Sequence, residues 1–326
     1  MKSVVTGAGG FTGHALASKL LERGDDLTAL ARNASSVSDL AERGATVIAA
    51  DIRDADAVAT AVEGARTVYH IAALFRKAGF PDSEYRDINV EGTRILLDAS
   101  VRAGVKRFVH CSTIGVCGDI ATPPADEETP YNPGDIYQAT KMEGELLALS
   151  YAREGKLPVV AARPASIYGP GDLRLLKMFR MIKKGTFFVV GSGRPFFHVV
   201  YIDDLVNGFI LCAEKEAAVG EVFILAGGEY VELNELFRLV AGSLDVKPPW
   251  LHVPVFPVQM LGTLAEKICI PLGIEPPIYR RRVDFFTKSR AFDIDKARRI
   301  LGYSPKVDLK TGIVRTADWY RREKLL

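Results

Sequence analysis

The sequence has 326 residues, enough for one large α/β unit with a smaller appended lobe but too few for three ordinary domains. Lys and Arg total 42 against 40 for Asp and Glu, and this near-neutral balance excludes a protein that holds nucleic acid through bulk charge. The four cysteines lack CxxC spacing, which indicates a reducing compartment. No signal peptide and no membrane-spanning segment is expected, so the sequence predicts a cytoplasmic protein.

Short apolar runs alternate with amphipathic stretches over the first half of the chain. Continuous apolar runs are typical of parallel strands that helices cover on both faces. The rhythm therefore predicts βαβ units in a doubly wound α/β sheet of the Rossmann type, with about seven strands. The runs expected as strands are Ser3–Thr6, Leu27–Ala31, Val47–Ala50, Thr67–Ile71, Phe108–Cys111 and Pro158–Ala162.

The rhythm changes after Pro164, where glycine and proline cluster and aromatic residues become frequent. We interpret residues 1–164 as a dinucleotide-binding domain and residues 165–326 mainly as a smaller α/β substrate-binding lobe. Residues 199–226 combine two strand-like runs with a helical one, so this segment is expected to return to the first domain.

A glycine-rich loop follows the first strand and precedes a helical pattern, with the sequence Gly7-Ala8-Gly9-Gly10-Phe11-Thr12-Gly13. Gly7 suits a tight turn, Gly10 lets backbone N–H groups approach a pyrophosphate, and Gly13 lets the helix and the strand touch. The helix directs its positive N-terminal end at the phosphates. In this strand-to-helix context the loop predicts a dinucleotide site.

The end of the second strand indicates which dinucleotide is bound. It reads Ala29-Leu30-Ala31-Arg32, without the acid that would bind the adenosine ribose hydroxyls of NAD. The planar guanidinium of Arg32 suits a 2′-phosphate, so the sequence favours NADP over NAD. Asp51, which ends the third strand, is expected at the adenine edge, with a helix N-cap as the alternative.

Tyr137 and Lys141 lie four residues apart and therefore on one face of a helix, which Asp135 and Gln138 would start as a capping box. A free phenol has a pKa of about 10, too high for base chemistry at neutral pH. A fixed positive charge nearby favours the phenolate, so the spacing predicts that Lys141 activates Tyr137 for proton transfer.

Ser112 and Thr113 end the fifth strand, at the edge where doubly wound sheets bind ligands. Together with the glycine loop and the pair Tyr137 and Lys141, these hydroxyls make the chain similar to a known family. It resembles the extended short-chain dehydrogenase/reductase superfamily, or NAD-dependent epimerase/dehydratase family, over nearly its full length. The motifs that carry the resemblance are Thr6–Gly13, Asp51-Ile52, His70–Ala73, Asn89–Thr93, Ser112–Val116, Tyr137–Lys141, Arg163-Pro164 and Tyr168–Asp172.

The resemblance implies a catalytic triad. Thr113, or Ser112 in its place, hydrogen-bonds the substrate oxygen. Tyr137 exchanges its proton, and Lys141 tunes Tyr137 and holds the nicotinamide ribose. Asn89 is either catalytic or a buried hydrogen-bonding residue. The remaining cofactor contacts that the resemblance implies are Phe11, Ile52, Ala72, Ala73 and Pro164. Members of the family often pair through the helix that carries the tyrosine, so a homodimer is expected.

The motifs also narrow the reaction. Dehydratases of the family place an acid beside the triad hydroxyl, whereas Thr113 is followed by isoleucine and glycine, which disfavours elimination. Hydride transfer between a carbinol and a ketone remains, as does epimerisation of a sugar nucleotide through a transient ketone. Ser166 replaces the usual asparagine of the epimerases, and Phe197 replaces a diphosphate-binding arginine. Arg280–Arg282 resembles their second phosphate-binding region.

Residues 163–172, 199–214 and 290–303 are more similar to the branch with 3β-hydroxysteroid dehydrogenases, sterol-4-carboxylate dehydrogenases and dihydroflavonol reductases. The resemblance implies an NAD(P)-dependent oxidoreductase that interconverts an apolar secondary alcohol and a ketone. A sugar-nucleotide 4-epimerase is the first alternative. A non-catalytic NAD(P)-binding regulator is the second, although such proteins tend to lose the tyrosine. The expected apolar walls of the pocket are Phe75, Phe196, Phe197, Val199 and Phe285.

Residues 256–270 are expected to form an amphipathic helix. Its apolar stripe consists of Val258, Leu261, Leu264, Ala265 and Ile268. We expect this helix to border the substrate entrance and to favour apolar ligands or a membrane surface over a soluble sugar. The alternative, favoured over membrane contact, is that the stripe packs on the core of the substrate lobe.

Overall fold

The computed structural model of the protein describes residues 1–76, 79–269 and 280–326. The strands in chain order are β1 (Lys2–Thr6), β2 (Asp26–Ala31), β3 (Thr46–Ala49), β4 (Thr67–His70), β5 (Arg107–Cys111), β6 (Val159–Pro164), β7 (Ser166–Tyr168), β8 (Val189–Val190), β9 (Phe196–Tyr201), β10 (Val222–Leu225), β11 (Tyr230–Glu232) and β12 (His252–Val253).

The helices are α1 (Phe11–Glu22), α2 (Ser38–Glu42), α3 (Ala55–Val62), α4 (Asp82–Arg86), α5 (Gly92–Arg102), α6 (Ile136–Arg153), α7 (Leu176–Lys183), α8 (Ile202–Glu214), α9 (Leu233–Ser243), α10 (Val255–Cys269), α11 (Arg280–Thr287) and α12 (Leu309–Arg322). A π-helical turn, Asp87–Glu91, leads into α5, and a 3₁₀ turn, Ile114–Cys117, follows β5.

The central sheet has seven parallel strands in the order β10-β6-β5-β4-β1-β2-β3. All six runs that the sequence predicts as strands belong to it, and the prediction of a doubly wound sheet is confirmed. Successive strand residues point to opposite faces, as Val4 and Val5 of β1 do by entering two different hydrophobic clusters. Helices α1 and α8 cover one face, and helices α3, α5 and α6 cover the other.

The second half of the chain supplies smaller sheets beside this framework. One has three strands in the order β11-β9-β7, and β12 pairs with β8 in another. Within residues 199–226, β10 joins the central sheet and α8 packs against α1, β5 and β6. Residues 199–201 do not return to the central sheet as expected. They belong to β9, whose backbone N–H and C=O groups form their hydrogen bonds with β7 and β11 instead.

Helix α10 forms where the sequence predicts a helix, but the alternative that its apolar stripe packs on the core does not hold for its leucines. Leu261 and Leu264 are 58% and 56% exposed, whereas Val258 and Ala265 are partly buried. The side chain of Ile268 lies outside the described residues. No helix among the described residues is both long enough and apolar enough to cross a membrane.

Candidate active site

A cleft of about 710 Å³ runs along the carboxyl edge of the central sheet, over the residues that directly follow β1 to β6. It brings together every residue that the sequence assigns to the triad and to cofactor binding except Lys141. The predicted residues that line it are Gly7, Gly10, Phe11, Gly13, Arg32, Asp51, Ile52, Ala72, Ala73, Ser112, Thr113, Tyr137 and Pro164. The meeting of these segments follows from the parallel strands, whose carboxyl ends all lie at one edge.

The glycine loop between β1 and α1 has no room for side chains on its protein side. Gly7 has a φ of +70°, and a Cβ there would lie 2.8 Å from the Cα of Ala72. A Cβ on Gly13 would lie 2.2 Å from the carbonyl oxygen of Gly7. Gly10 caps α1 without a side-chain hydrogen bond, and the first turn of α1 carries no acid. The exposed N–H groups and the narrow cradle fit a pyrophosphate.

The adenosine end of the cleft is shaped by charges near the ends of β2 and β3. Arg32 is exposed, and no carboxylate among the described residues forms an ion pair with it. Asp51 accepts a hydrogen bond of 2.8 Å from Nε of Arg53, and this bond holds the pKa of the Asp51 carboxyl below its usual value. The N-cap alternative for Asp51 is wrong, because Asp54 caps α3 by accepting from Asp56 and Ala57 N–H.

The N-terminus of α6 presents the catalytic tyrosine candidate to the cleft. Asp135 caps the helix, its Oδ1 accepting from the Gln138 N–H at 2.8 Å. The side chain of Gln138 reaches back to the N–H of Gly134 at 2.6 Å rather than to that of Asp135, so the predicted capping box is shifted by one residue. The second oxygen of Asp135 accepts from Nε of Arg76 at 2.8 Å.

Tyr137 is packed between an aromatic ring and a guanidinium. The ring of Phe75 meets it edge-on at 4.9 Å, and the guanidinium of Arg76 lies 5.5 Å from its centroid. Burial raises the pKa of the Tyr137 phenol, and Arg76 opposes that shift. Arg76 is missed by the sequence reasoning, since the irregular loop after β4 offers no periodic signal that places it over Tyr137.

The hydroxyls at the end of β5 differ in their hydrogen bonding. Oγ1 of Thr113 accepts from the N–H of Gly115 at 3.1 Å and so caps the following 3₁₀ turn. Its own proton is left to donate to an acceptor in the cleft, such as a carbonyl oxygen. Oγ of Ser112 is buried and has no hydrogen-bond partner among the described residues.

Lys141 lies one helical turn behind Tyr137 and is only 2% exposed. Burial lowers the pKa of its ammonium, and the neighbouring Cys111 and Glu145 oppose that shift. No carboxylate of the described residues lies within ion-pairing distance of Lys141. Its charge therefore lacks direct compensation beside the tyrosine.

Two buried contacts hold α6 in place. Asn89 accepts from the Leu74 N–H at 2.7 Å and donates to Oγ1 of Thr140 at 3.0 Å, so the structure shows it as a buried hydrogen-bonding residue. Farther along α6, Glu145 pairs with Nη2 of Arg163 at 2.7 Å, and these side chains are 0% and 2% exposed. The two contacts tie the helix to the loop after β4 and to β6.

The other end of the cleft has aromatic walls. Phe197 and Phe285 line it with their rings 5.1 Å apart, and Phe75 lines it as well. Two of the expected wall residues are not among the lining: Phe196 packs on Tyr230, and Val199 is buried in β9. Strand alternation turns Phe196 away from the face of Phe197. Val199 shares the face of Phe197 but lies two residues farther along β9 and is only 5% exposed. The side chains of Arg280–Arg282 lie outside the described residues.

The comparisons with known proteins agree with this architecture. The 3beta-hydroxysteroid-dehydrogenase/decarboxylase isoform 1 of Arabidopsis thaliana is 32% identical over 296 residues, 85% of this chain and 67% of that protein. The chain spans only 51% of isoform 2. The 3-beta-hydroxysteroid dehydrogenase of Mycolicibacterium neoaurum is 32% identical over 97% of this chain and 90% of its own. The crystal structure of gox2253 superposes with a TM-score of 0.83 at 30% identity, covering 99% of both chains.

The sequence profile of the NAD dependent epimerase/dehydratase family matches residues 3–226. That match spans the glycine loop, the whole central sheet and α6. The prediction of an NAD(P)-dependent enzyme with a Rossmann sheet is thereby confirmed, and the chain belongs to the NAD dependent epimerase/dehydratase family.

Proposed function

We propose that the protein catalyses hydride transfer between a secondary alcohol and a ketone, with Tyr137, Thr113 and Lys141 as its triad. One observation carries the proposal: the Tyr137 phenol and the Thr113 hydroxyl line the same cleft as the glycine cradle. A nicotinamide cofactor bound in that cradle supplies the hydride acceptor or donor. Gly7, Gly10 and Gly13 would hold its pyrophosphate, and Lys141 its nicotinamide ribose.

Tyr137 moves the proton. In reduction, its O–H donates a proton to the ketone oxygen while a hydride adds to the carbonyl carbon. In oxidation, the carbinol O–H bond breaks and its proton goes to the phenolate, while the C–H electron pair leaves as hydride. Because burial raises the pKa of Tyr137, the residue stands as a protonated phenol and is a proton donor for reduction.

Thr113 orients the reacting oxygen. Since its Oγ1 already accepts from the Gly115 N–H, its hydroxyl proton is free for the substrate oxygen. Ser112, buried beside it without a partner among the described residues, is the second hydroxyl that can serve this oxygen. Lys141 adds a positive charge behind Tyr137 that favours the phenolate whenever the proton has left.

The aromatic walls support an apolar substrate. Phe75, Phe197 and Phe285 line the end of the cleft beyond Tyr137. The same triad would serve a sugar-nucleotide 4-epimerase, but Phe197 places a ring where such enzymes carry a diphosphate-binding arginine. Two relatives are named as 3β-hydroxysteroid dehydrogenases, which also supports an apolar substrate. A preference for NADP through Arg32, a homodimer formed through α6 and a cytoplasmic location stay predictions.

The experiment is a turnover assay of the purified protein with NADPH and NADH against ketosteroids, dihydroflavonols and aryl ketones. Tyr137→Phe and Lys141→Ala should each lower turnover by about 10²- to 10⁴-fold, because each removes part of the proton transfer. Tyr151→Phe is the matched control, since Tyr151 lies near the opposite end of α6 and its hydroxyl donates to Asp98 of α5. Turnover of Tyr137→Phe equal to that of the unaltered protein, or no turnover with any ketone, would contradict the proposal.

A further inference from the structure

The charges in the cleft are not balanced at its substrate end. The arginines that line it are Arg32, Arg76, Arg174 and Arg290. Two of them are neutralised: Arg76 pairs with Asp135 at 2.8 Å, and Arg174 pairs with Asp172 at 2.6 Å. Arg290 has no ion-pair partner and no side-chain hydrogen bond among the described residues. One guanidinium at this end therefore lacks a direct partner among the described residues.

Arg290 is held in place by its backbone. Its N–H donates to the carbonyl of Phe196 at 2.8 Å, in a short bridge to β9. Its side chain is partly buried and lines the cleft together with Phe197 and Phe285. Burial lowers the pKa of the guanidinium, and the like charge of Arg76 acts in the same direction. The carboxylates of Asp284, Asp119 and Asp135 oppose this shift without forming a described ion pair with Arg290. A partly desolvated charge without a direct partner costs free energy that a bound anion would offset.

The position of Arg290 assigns that anion to the substrate. The phosphates of the cofactor belong at the glycine loop, at the N-terminus of α1, whereas Arg290 lies with Arg76 near Tyr137. The guanidinium of Arg76 is 5.5 Å from the centroid of the Tyr137 ring, and Arg76 and Asp135 both interact electrostatically with Arg290. We therefore infer that a group bound by Arg290 belongs to the molecule that meets Tyr137.

The unpaired charge described at this end of the cleft matches a single anionic group. A diphosphate carries two charges or more, and this end of the cleft has a single unpaired guanidinium among the described residues. The planar fork of one arginine matches one carboxylate through two parallel hydrogen bonds. We propose that Arg290 is a substrate-binding residue that recognises a carboxylate, so that the substrate is an apolar hydroxy acid or keto acid. This inference rests on the proposed function for its choice of the reacting end.

The test measures binding of acids and their esters rather than turnover. The probes are 3-hydroxydecanoate and 3-hydroxy-3-phenylpropanoate, each beside its methyl ester, with UDP-glucose as the diphosphate probe. Dissociation constants are measured by calorimetry on the NADP⁺-saturated Tyr137→Phe protein, which retains the pocket without the proton donor. At least one acid should bind about tenfold or more tightly than its ester, because a charge-assisted hydrogen bond is lost in the ester.

Arg290→Gln should abolish the preference for the acid while leaving the affinity for the ester unchanged, and Arg290→Lys should restore part of it. Arg298→Gln, which removes an exposed arginine paired with Asp295, is the control and should keep the full preference. Circular dichroism and the affinity for NADP⁺ establish that each variant is folded. Equal affinity for acid and ester in both pairs would overturn the proposal, as would tight, Arg290-dependent binding of UDP-glucose.

The design separates this inference from the proposed function. If the acids bind through Arg290 but the protein shows no Tyr137-dependent turnover, the carboxylate site stands and the hydride-transfer proposal fails. If ketones without an acid group are turned over as efficiently as keto acids, and Arg290→Gln leaves their KM unchanged, the reaction stands and the carboxylate site fails.

Discussion

The two ends of the cleft are built from different materials. The cofactor end is made of backbone and small residues that follow consecutive strands, and a single added Cβ at Gly7 or Gly13 would collide with main-chain atoms. The substrate end is made of large side chains from separate segments of the chain, such as Arg76, Phe197 and Arg290. The difference indicates that cofactor binding depends on the path of the chain, whereas substrate choice depends on individual side chains.

The largest expected effect concerns α6, which holds Tyr137 between the two ends. Glu145→Gln leaves the buried guanidinium of Arg163 without its carboxylate, so the free energy of unfolding should fall by about 3–5 kcal/mol. Glu143→Gln, on the same helix, breaks an exposed pair with Arg86 and should cost about 0–1 kcal/mol. Urea denaturation measures both. Equal losses would mean that the buried pair does not anchor α6.

The cofactor end is tested by adding one carbon. Gly13→Ala places a Cβ 2.2 Å from the Gly7 carbonyl oxygen, and main-chain atoms must shift to accept it. We expect the free energy of unfolding to fall by about 1–3 kcal/mol and the affinity for NAD⁺ and NADP⁺ to drop. Gly242→Ala, with no atom within 4 Å of its added Cβ, is the control. It should keep the cofactor affinity and raise the free energy of unfolding by no more than about 1 kcal/mol, since alanine favours the helix. Unchanged cofactor affinity in Gly13→Ala would contradict the claim that cofactor binding depends on the path of the main chain.

Arg32 is the exception at the cofactor end, because there a side chain would determine the selectivity for NADP over NAD. If it meets a 2′-phosphate, NADPH should bind more tightly than NADH, by about tenfold or 1.4 kcal/mol. Arg32→Ala should remove most of that difference and leave NADH affinity unchanged. Fluorescence titration with the two cofactors measures it, with NADH as the internal control. Equal affinities in the unaltered protein would remove the NADP preference.

The smallest effect on stability is expected on α10, outside the cleft. Leu264 is 56% exposed, so Leu264→Glu should change the free energy of unfolding by no more than about 0.5 kcal/mol. If the exposed face contacts a membrane, the same change should reduce co-sedimentation with phosphatidylglycerol vesicles. Leu236→Glu, at a buried position of α9, should unfold the protein readily and shows what a core position would do. Unchanged co-sedimentation would leave α10 without a membrane role.

Local pattern in the sequence determined the framework of the site. Strand alternation, helix periodicity and the glycine spacing depend on neighbouring residues, so β1 to β6, the cradle at Gly7 and the pair Tyr137 and Lys141 could be predicted. The family followed from the same motifs. Parallel strands then require their carboxyl ends to meet, which is why one cleft collects nearly all of the predicted residues.

Only the tertiary structure decided the substrate end. Arg76 and Arg290 lie on irregular or distant segments, and no local period indicates that they enter the cleft with Tyr137. The sequence could not predict that β9 pairs outside the central sheet or that Leu261 of α10 is exposed. Both depend on which surfaces of the folded chain are left for them to pack against. Long-range packing sets these contacts, and a sequence pattern reports only the side that each residue faces within its own element.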